Sequence, residues 1–240
     1  MDYVIAVTFT VLGAISVLPM ARILNTMPAK CFCDYGEKPS AQHKPPRITG
    51  KQIAVCALLL AIMFSLLVVR FGFSVKTIAL CLFSVVLIMI ALSDLKYCII
   101  PDELVIAGCI FAVVAVLPDI LNGTSVTQCL SPVFGALIGG GIILMINLLG
   151  RLFYKKDALG MGDLKLMVVC GIACGTGGTL VALLVGILAA AFWFAIGILT
   201  KRTRSDEFLP LGPFLVFGTG FTVCCQPLVA RLIAWYISLI

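Results

Sequence analysis

Long apolar stretches separated by short polar breaks run through the chain, and the stretches exceed what a helix in a soluble core needs. A helix crosses the hydrocarbon core with about 20 mostly apolar residues. On that basis spans are predicted near 3–24, 52–70, 77–93, 103–118, 129–149, 164–177, 178–199 and 209–226. An outer-membrane barrel would alternate apolar and polar positions in segments of about 10 residues, and runs such as 81–91 do not. The expected fold class is all-α, a polytopic membrane helix bundle of about eight transmembrane segments. The first segment lacks a basic flank and a small-residue cleavage site, so it reads as a retained helix.

The breaks carry their own signals. The largest, 25–51, contains Pro28, Pro39, Pro45 and Pro46 with a basic cluster. It reads as a solvated loop that sets topology and leans on anionic headgroups, making membrane lipids expected partners. Next comes the run Ser93-Asp94-Leu95-Lys96 to Ile100-Pro101-Asp102-Glu103. Pro101 disfavours helical geometry at Ile100, so the chain is predicted to break there, with Asp102 capping a helix from about Glu103. The third loop, 151–162, ends in the conformationally permissive Gly160-Met161-Gly162. The fourth, 201–209, leads into Pro210-Leu211-Gly212-Pro213-Phe214. After Pro227 the tail is predicted to lie along the outer interface, anchored by Trp235 and Tyr236.

Composition agrees: 62% of the 240 residues are hydrophobic and 12% charged, against about 25% charged in soluble domains. The net charge of +6 indicates orientation here rather than nucleic-acid binding. Alternating the loops collects 14 of the 17 Lys and Arg on one side, leaving Arg70, Lys76 and Arg231 on the other. The positive-inside rule makes the rich side cytoplasmic. The amino terminus is then outside, and Asp94 and Asp163 lie at the cytoplasmic face.

The eleven cysteines do not form a disulfide framework, because most lie in or beside apolar segments as small hydrophobes. Cys31 and Cys33 fall in the expected cytoplasmic loop, a reducing compartment, with the single histidine, His43, nearby. Structural zinc wants four ligands, commonly with C-x2–4-C spacing, so zinc is not expected. No Walker loop, H-E-x-x-H, G-x-S-x-G or dinucleotide fingerprint occurs.

Charge at membrane depth is costly and tends to face a bundle interior or a wet cavity. Asp94 closes a largely apolar run from Ile78, and Asp163 opens the run from Leu164. At a helix amino end the dipole suits a carboxylate. Side by side, the two would share one proton near neutral pH. One carboxylate then serves as base on a water while the other, protonated, polarises a scissile carbonyl. The pair titrates as a unit, so neither role goes to one residue. Asp94-Leu95-Lys96 is echoed by Asp163-Leu164-Lys165, and both lysines read as snorkelling to headgroups or tuning the pair.

Three blocks together resemble the type IV prepilin peptidases, membrane aspartic proteases of the GxGD type. Ser93-Asp94-Leu95-Lys96 running on to Ile100-Pro101-Asp102 resembles the family's first-aspartate motif. Gly160-Met161-Gly162-Asp163-Leu164-Lys165-Leu166 resembles its GxGD motif, and Leu209-Pro210-Leu211-Gly212-Pro213-Phe214-Leu215 its Pro-x-Gly-Pro-Phe block. The likeness spans about 77–226. It implies a GxGD peptidase core at 77–240, preceded by amino-terminal membrane segments at 1–76, in one integral membrane unit. It also implies an aspartic endopeptidase of the bacterial cytoplasmic membrane, with Asp94 and Asp163 as the catalytic pair. Gly160, Gly162, Lys96, Lys165, Pro101, Pro210, Gly212 and Pro213 would be supporting motif positions. The substrates would be prepilin-like precursors cut behind a basic leader at the cytoplasmic face.

Cleavage needs no cofactor. Bifunctional members also methylate the new amino terminus from S-adenosylmethionine and carry two CxxC pairs in a cytoplasmic insert, where this chain has only Cys31-Phe32-Cys33. That second activity stays open, as do the particular substrates and the oligomeric state. One alternative is another GxGD intramembrane protease, against which stands Ser93 where a Tyr-Asp pair is characteristic. The other is a small proton- or cation-coupled transporter, for which the glycine-interrupted stretch 171–178 would suit a broken helix.

Overall fold

The computed structural model describes residues 2–32, 48–122, 125–154, 160–200 and 210–237. Every regular element among them is helical. The order is α1 (Asp2–Thr26), α2 (Gly50–Phe71), α3 (Val75–Tyr97), α4 (Asp102–Leu121), α5 (Val126–Tyr154), α6 (Met161–Leu199) and α7 (Gly212–Ile237). A short 3-10 turn, Ala29–Phe32, follows α1. Six of the helices are long and apolar enough to cross a membrane, and Gly212–Cys225 is a shorter apolar one. Large apolar side chains point outward along the bundle, among them Leu137, Leu148, Phe192 and Trp193. So much exposed apolar surface suits lipid rather than water.

Inside, polar groups are satisfied locally, as a medium without water requires. Ser84, Thr219 and Thr222 each donate to the carbonyl one turn back, at 2.7, 2.8 and 2.8 Å. Among the described residues no buried side-chain N or O lacks a partner.

The six membrane-length helices do not confirm the expected count of eight spans. The expected spans 164–177 and 178–199 form one element, α6, broken at Gly175 by a non-helical backbone (φ 69°, ψ −179°). A Cβ at Gly139 of α5 would lie 2.6 Å from the Met167 carbonyl and 3.1 Å from the Thr179 methyl. Those two residues are twelve positions apart, or about 18 Å along a straight helix. The chain therefore folds back at Gly175, and α6 is a hairpin of two arms, 161–174 and 176–199. Gly175 holds a positive φ that suits glycine. Ser131 of α5 secures the turn, its Oγ accepting from the Thr176 amide at 3.0 Å. Close approach of α5 to the first arm also depends on Gly135 and Gly171, where a side chain on either would collide with the other's backbone.

Two further readings are corrected. Pro101, not Asp102, is the N-cap residue of α4, with Asp102 already in the first turn. The amides of Leu104 and Val105 bond the Pro101 carbonyl at 3.1 and 3.2 Å, which starts the helix one residue early. The tail after Pro227 is not a separate segment: its backbone continues α7 to Ile237.

Candidate active site

Asp94 and Asp163 come from different helices and lie at one end of the bundle. Asp94 lies in the last turn of α3, which runs past the predicted end at 93 as far as Tyr97. The helix stops at Cys98, which takes the left-handed conformation (φ 52°) while its amide donates to the Asp94 carbonyl at 2.8 Å. Ser93 Oγ donates to the Ile99 carbonyl at 2.8 Å and ties down the turn that follows. Pro101 is buried beyond it.

Asp163 is the third residue of α6, and Gly160 is that helix's N-cap. The Asp163 carboxylate accepts from the Gly160 amide at 3.3 Å, taking one of the orphan donors of the helix start. Gly160 has an ordinary φ of −70°. A Cβ there would meet Asp163 Oδ2 at 3.5 Å, an ordinary contact. Gly162 is tighter: a Cβ would lie 3.0 Å from the Ile100 Cβ. The second glycine of the motif thus seats the start of α6 on the Ile100-Pro101 turn and brings Asp163 beside the turn that follows Asp94.

Asp94 and Asp163 are 4% and 8% exposed, so both carboxylates are sequestered. Just outside the membrane helices, Cys98 registers both: partial desolvation first, then the charges of Asp94 and Asp163, hold its thiol above the ordinary range. The third motif block reaches the same place, since the Gly212 amide donates to Asp94 Oδ2 at 2.9 Å. Pro210 and Pro213 flank that amide, half-buried.

The lysines part company. Lys165 does not simply snorkel: its Nζ pairs with Asp102 Oδ1 at 2.7 Å and links α6 to α4. Lys96 is exposed and lies over the Tyr97 ring at 5.4 Å. Cys31, expected in a solvated loop, is buried and donates to Glu103 Oε1 at 3.1 Å. Phe32 beside it is fully buried, with its ring 5.3 Å from that of Tyr97. The 3-10 turn therefore rests on the polypeptide next to the aspartates. Pattern reading missed this, since only the apolar Phe32 within the polar loop hints at it. Cys33 and His43 lie outside the described residues.

A family model described as type IV leader peptidase matches residues 81–195, which carry both aspartates. Over those 115 residues, just under half of the 240, the chain is similar to that family. The resemblance read from the motifs is thereby borne out over the stretch that carries Asp94 and Asp163. Curated relatives named prepilin leader peptidase/N-methyltransferase agree with it. The one from Xanthomonas campestris pv. campestris is 25% identical over 176 residues, covering 72% of this chain and 60% of that protein. The Bacillus subtilis (strain 168) relative is 26% identical over 162 residues, covering 68% and 61%. That from Pseudomonas aeruginosa is 27% identical over 179 residues, covering 70% and 57%. The chain thus spans about 60% of the length of these relatives. No solved structure matches the chain significantly.

Proposed function

We propose that the protein is a membrane aspartic endopeptidase that removes the basic leader from prepilin-like precursors, with Asp94 and Asp163 as its catalytic pair. One observation carries the reading: two sequestered carboxylates from separate helices are brought to one end of the bundle, where Gly162 packs on Ile100, within the stretch similar to leader peptidases. Two such groups share a proton. The ionised one takes a proton from water, and the resulting hydroxide attacks the scissile carbonyl, which the protonated one polarises. The tetrahedral intermediate collapses as the peptide nitrogen takes up a proton, releasing leader and mature segment. The peptidase core in this reading is 77–240, behind amino-terminal segments at 1–76.

The site faces the cytoplasm of a bacterial inner membrane in this proposal. Support comes from the basic loops on the side of Asp94 and Asp163. The opposite end carries Arg70 at the close of α2 and the Lys76–Asp119 pair between α3 and α4. A leader that stays in the cytosol while its apolar helix lies in the bilayer suits a site at that edge.

The test is leader cleavage of a co-expressed prepilin. Asp94→Asn and Asp163→Asn are each expected to lower it at least ~1,000-fold, within the span of general acid–base effects. Full processing by either folded variant would sink the assignment. Cleavage needs no cofactor. The relatives' names include N-methyltransferase, which favours the second reaction that the resemblance implies, methylation of the new amino terminus from S-adenosylmethionine. Transfer of labelled methyl groups to cleaved product tests that activity separately.

A further inference from the structure

The Pro210–Phe214 block lies beyond the stretch that matches the family model, yet its backbone touches Asp94. At the close of α3 a carboxylate meets the negative end of that helix dipole, an unfavourable place for its charge. The start of α7 supplies the opposite field. Gly212 is the first residue of α7, and its amide is one of the donors a helix start leaves without an internal partner. The amides of Phe214 and Leu215 bond the Leu211 carbonyl at 3.0 and 3.2 Å. Pro213 has no amide hydrogen at all. Gly212 is therefore the donor left in this turn for a carboxylate from another helix, and Asp94 caps α7 in trans.

Space is set as tightly as charge. A Cβ at Gly212 would lie 2.6 Å from Asp94 Oδ2, 3.0 Å from Cγ and 3.3 Å from Cβ. Any side chain there must displace the carboxylate. The block is itself held from behind, because a Cβ at Gly186 in the second arm of α6 would lie 2.9 Å from the Phe214 carbonyl. The start of α7 cannot simply retreat from Asp94.

We infer that Gly212 is a positioning residue for the proposed reaction: its amide fixes Asp94 Oδ2, and its missing side chain leaves the room that carboxylate occupies. The inference rests on the peptidase reading for its consequence, though not for the contact itself. It makes the third motif block one wall of the catalytic centre and gives Pro213 a role in directing the donor.

The experiment uses the full chain in lipid vesicles with a synthetic substrate, a basic leader followed by an apolar helix. Gly212→Ala keeps the amide and adds only the offending methyl. It is expected to lower kcat about 100-fold, the scale of an ~1 Å misplacement of a reacting group, with KM changed less than about 3-fold because uniform binding is untouched. A stability cycle reads the contact without catalysis. Gly212→Ala should lower the melting temperature by several degrees in the parent, but far less beside Asp94→Ala, where only the Cβ contact at 3.3 Å remains. Unchanged kcat in Gly212→Ala would overturn the inference. So would an equal melting loss with and without Asp94→Ala, or failure of the double variant to fold. If the cycle shows coupling while Asp94→Asn still cleaves, the catalytic reading fails and the contact stands.

Discussion

Cys98 is where the charge of the two aspartates can be measured by ordinary chemistry. Its thiol is held up by partial desolvation and then by Asp94 and Asp163, so removing either charge brings it down and raises the thiolate fraction. Alkylation at a fixed pH near 8 is expected to quicken in Asp94→Asn and in Asp163→Asn, and most in the double variant. Rates that ignore both substitutions would mean that neither carboxylate is ionised near that sulfur. The motif glycines also separate at this scale. Gly162→Ala forces a methyl against Ile100 at 3.0 Å and is expected to cost about 1–3 kcal/mol, as overpacking does, read as a fall in melting temperature and cleavage. Gly160→Ala meets only an ordinary contact at 3.5 Å and should lower cleavage no more than a few-fold. The sequence pattern marked both glycines without ranking them, because the ranking depends on Ile100, about sixty positions away in the chain. Cys31 adds a pH dependence of its own. Burial, then its bond to Glu103, raises the thiol to about 11. The folded state thus holds that proton more tightly than the unfolded chain does, and this contribution is lost as pH rises from about 9 toward 11.

At the scale of the element, α7 shows how one helix depends on side chains lent by others. Pro227 cannot donate to the carbonyl of Val223, four residues before it. The Arg70 guanidinium, from the close of α2, donates to that carbonyl instead. Arg70→Met is expected to cost about 1–3 kcal/mol through the buried carbonyl it leaves. Beside Pro227→Ala, which restores an intrahelical donor, the same change should cost much less, and a double-mutant cycle on thermal unfolding measures the difference. The Lys165–Asp102 pair, whose side chains are 35% and 47% exposed, ranks lower. Screened pairs of this kind contribute at most about 1 kcal/mol, so Lys165→Ala is expected to move stability little. Apolar periodicity revealed the existence of the helices, since each must present apolar surface over the bilayer's thickness. It did not reveal where helices borrow caps and donors from one another. Such contacts join α3 to α7 and α2 to α7, and no local pattern in either partner records them.

For the whole molecule, the arrangement of ends is the property most open to test. Reporters placed after Tyr154 and after Thr200 are expected on the same side as the Asp94 turn, and reporters after Gly72 and after Asn122 on the other. Asp94 and Asp163 were legible as candidates because a carboxylate in an apolar run is rare enough to stand out. How they come together was not legible, since it depends on Gly162 seating the start of α6 against Ile100, a contact that no local pattern records. The α6 hairpin has a consequence for the surrounding lipid. Its first arm holds about 14 residues, or ~21 Å of helix, against a hydrocarbon core of about 30 Å. The turn bears Thr176, is bonded to Ser131, and leaves Gly177 exposed. A bilayer meets so short a wall by thinning beside it. The protein is thus expected to be a local source of hydrophobic mismatch. Its activity should be higher in vesicles of short acyl chains than of long ones, and lengthening the lipid at constant headgroup measures how far the membrane must yield to hold it.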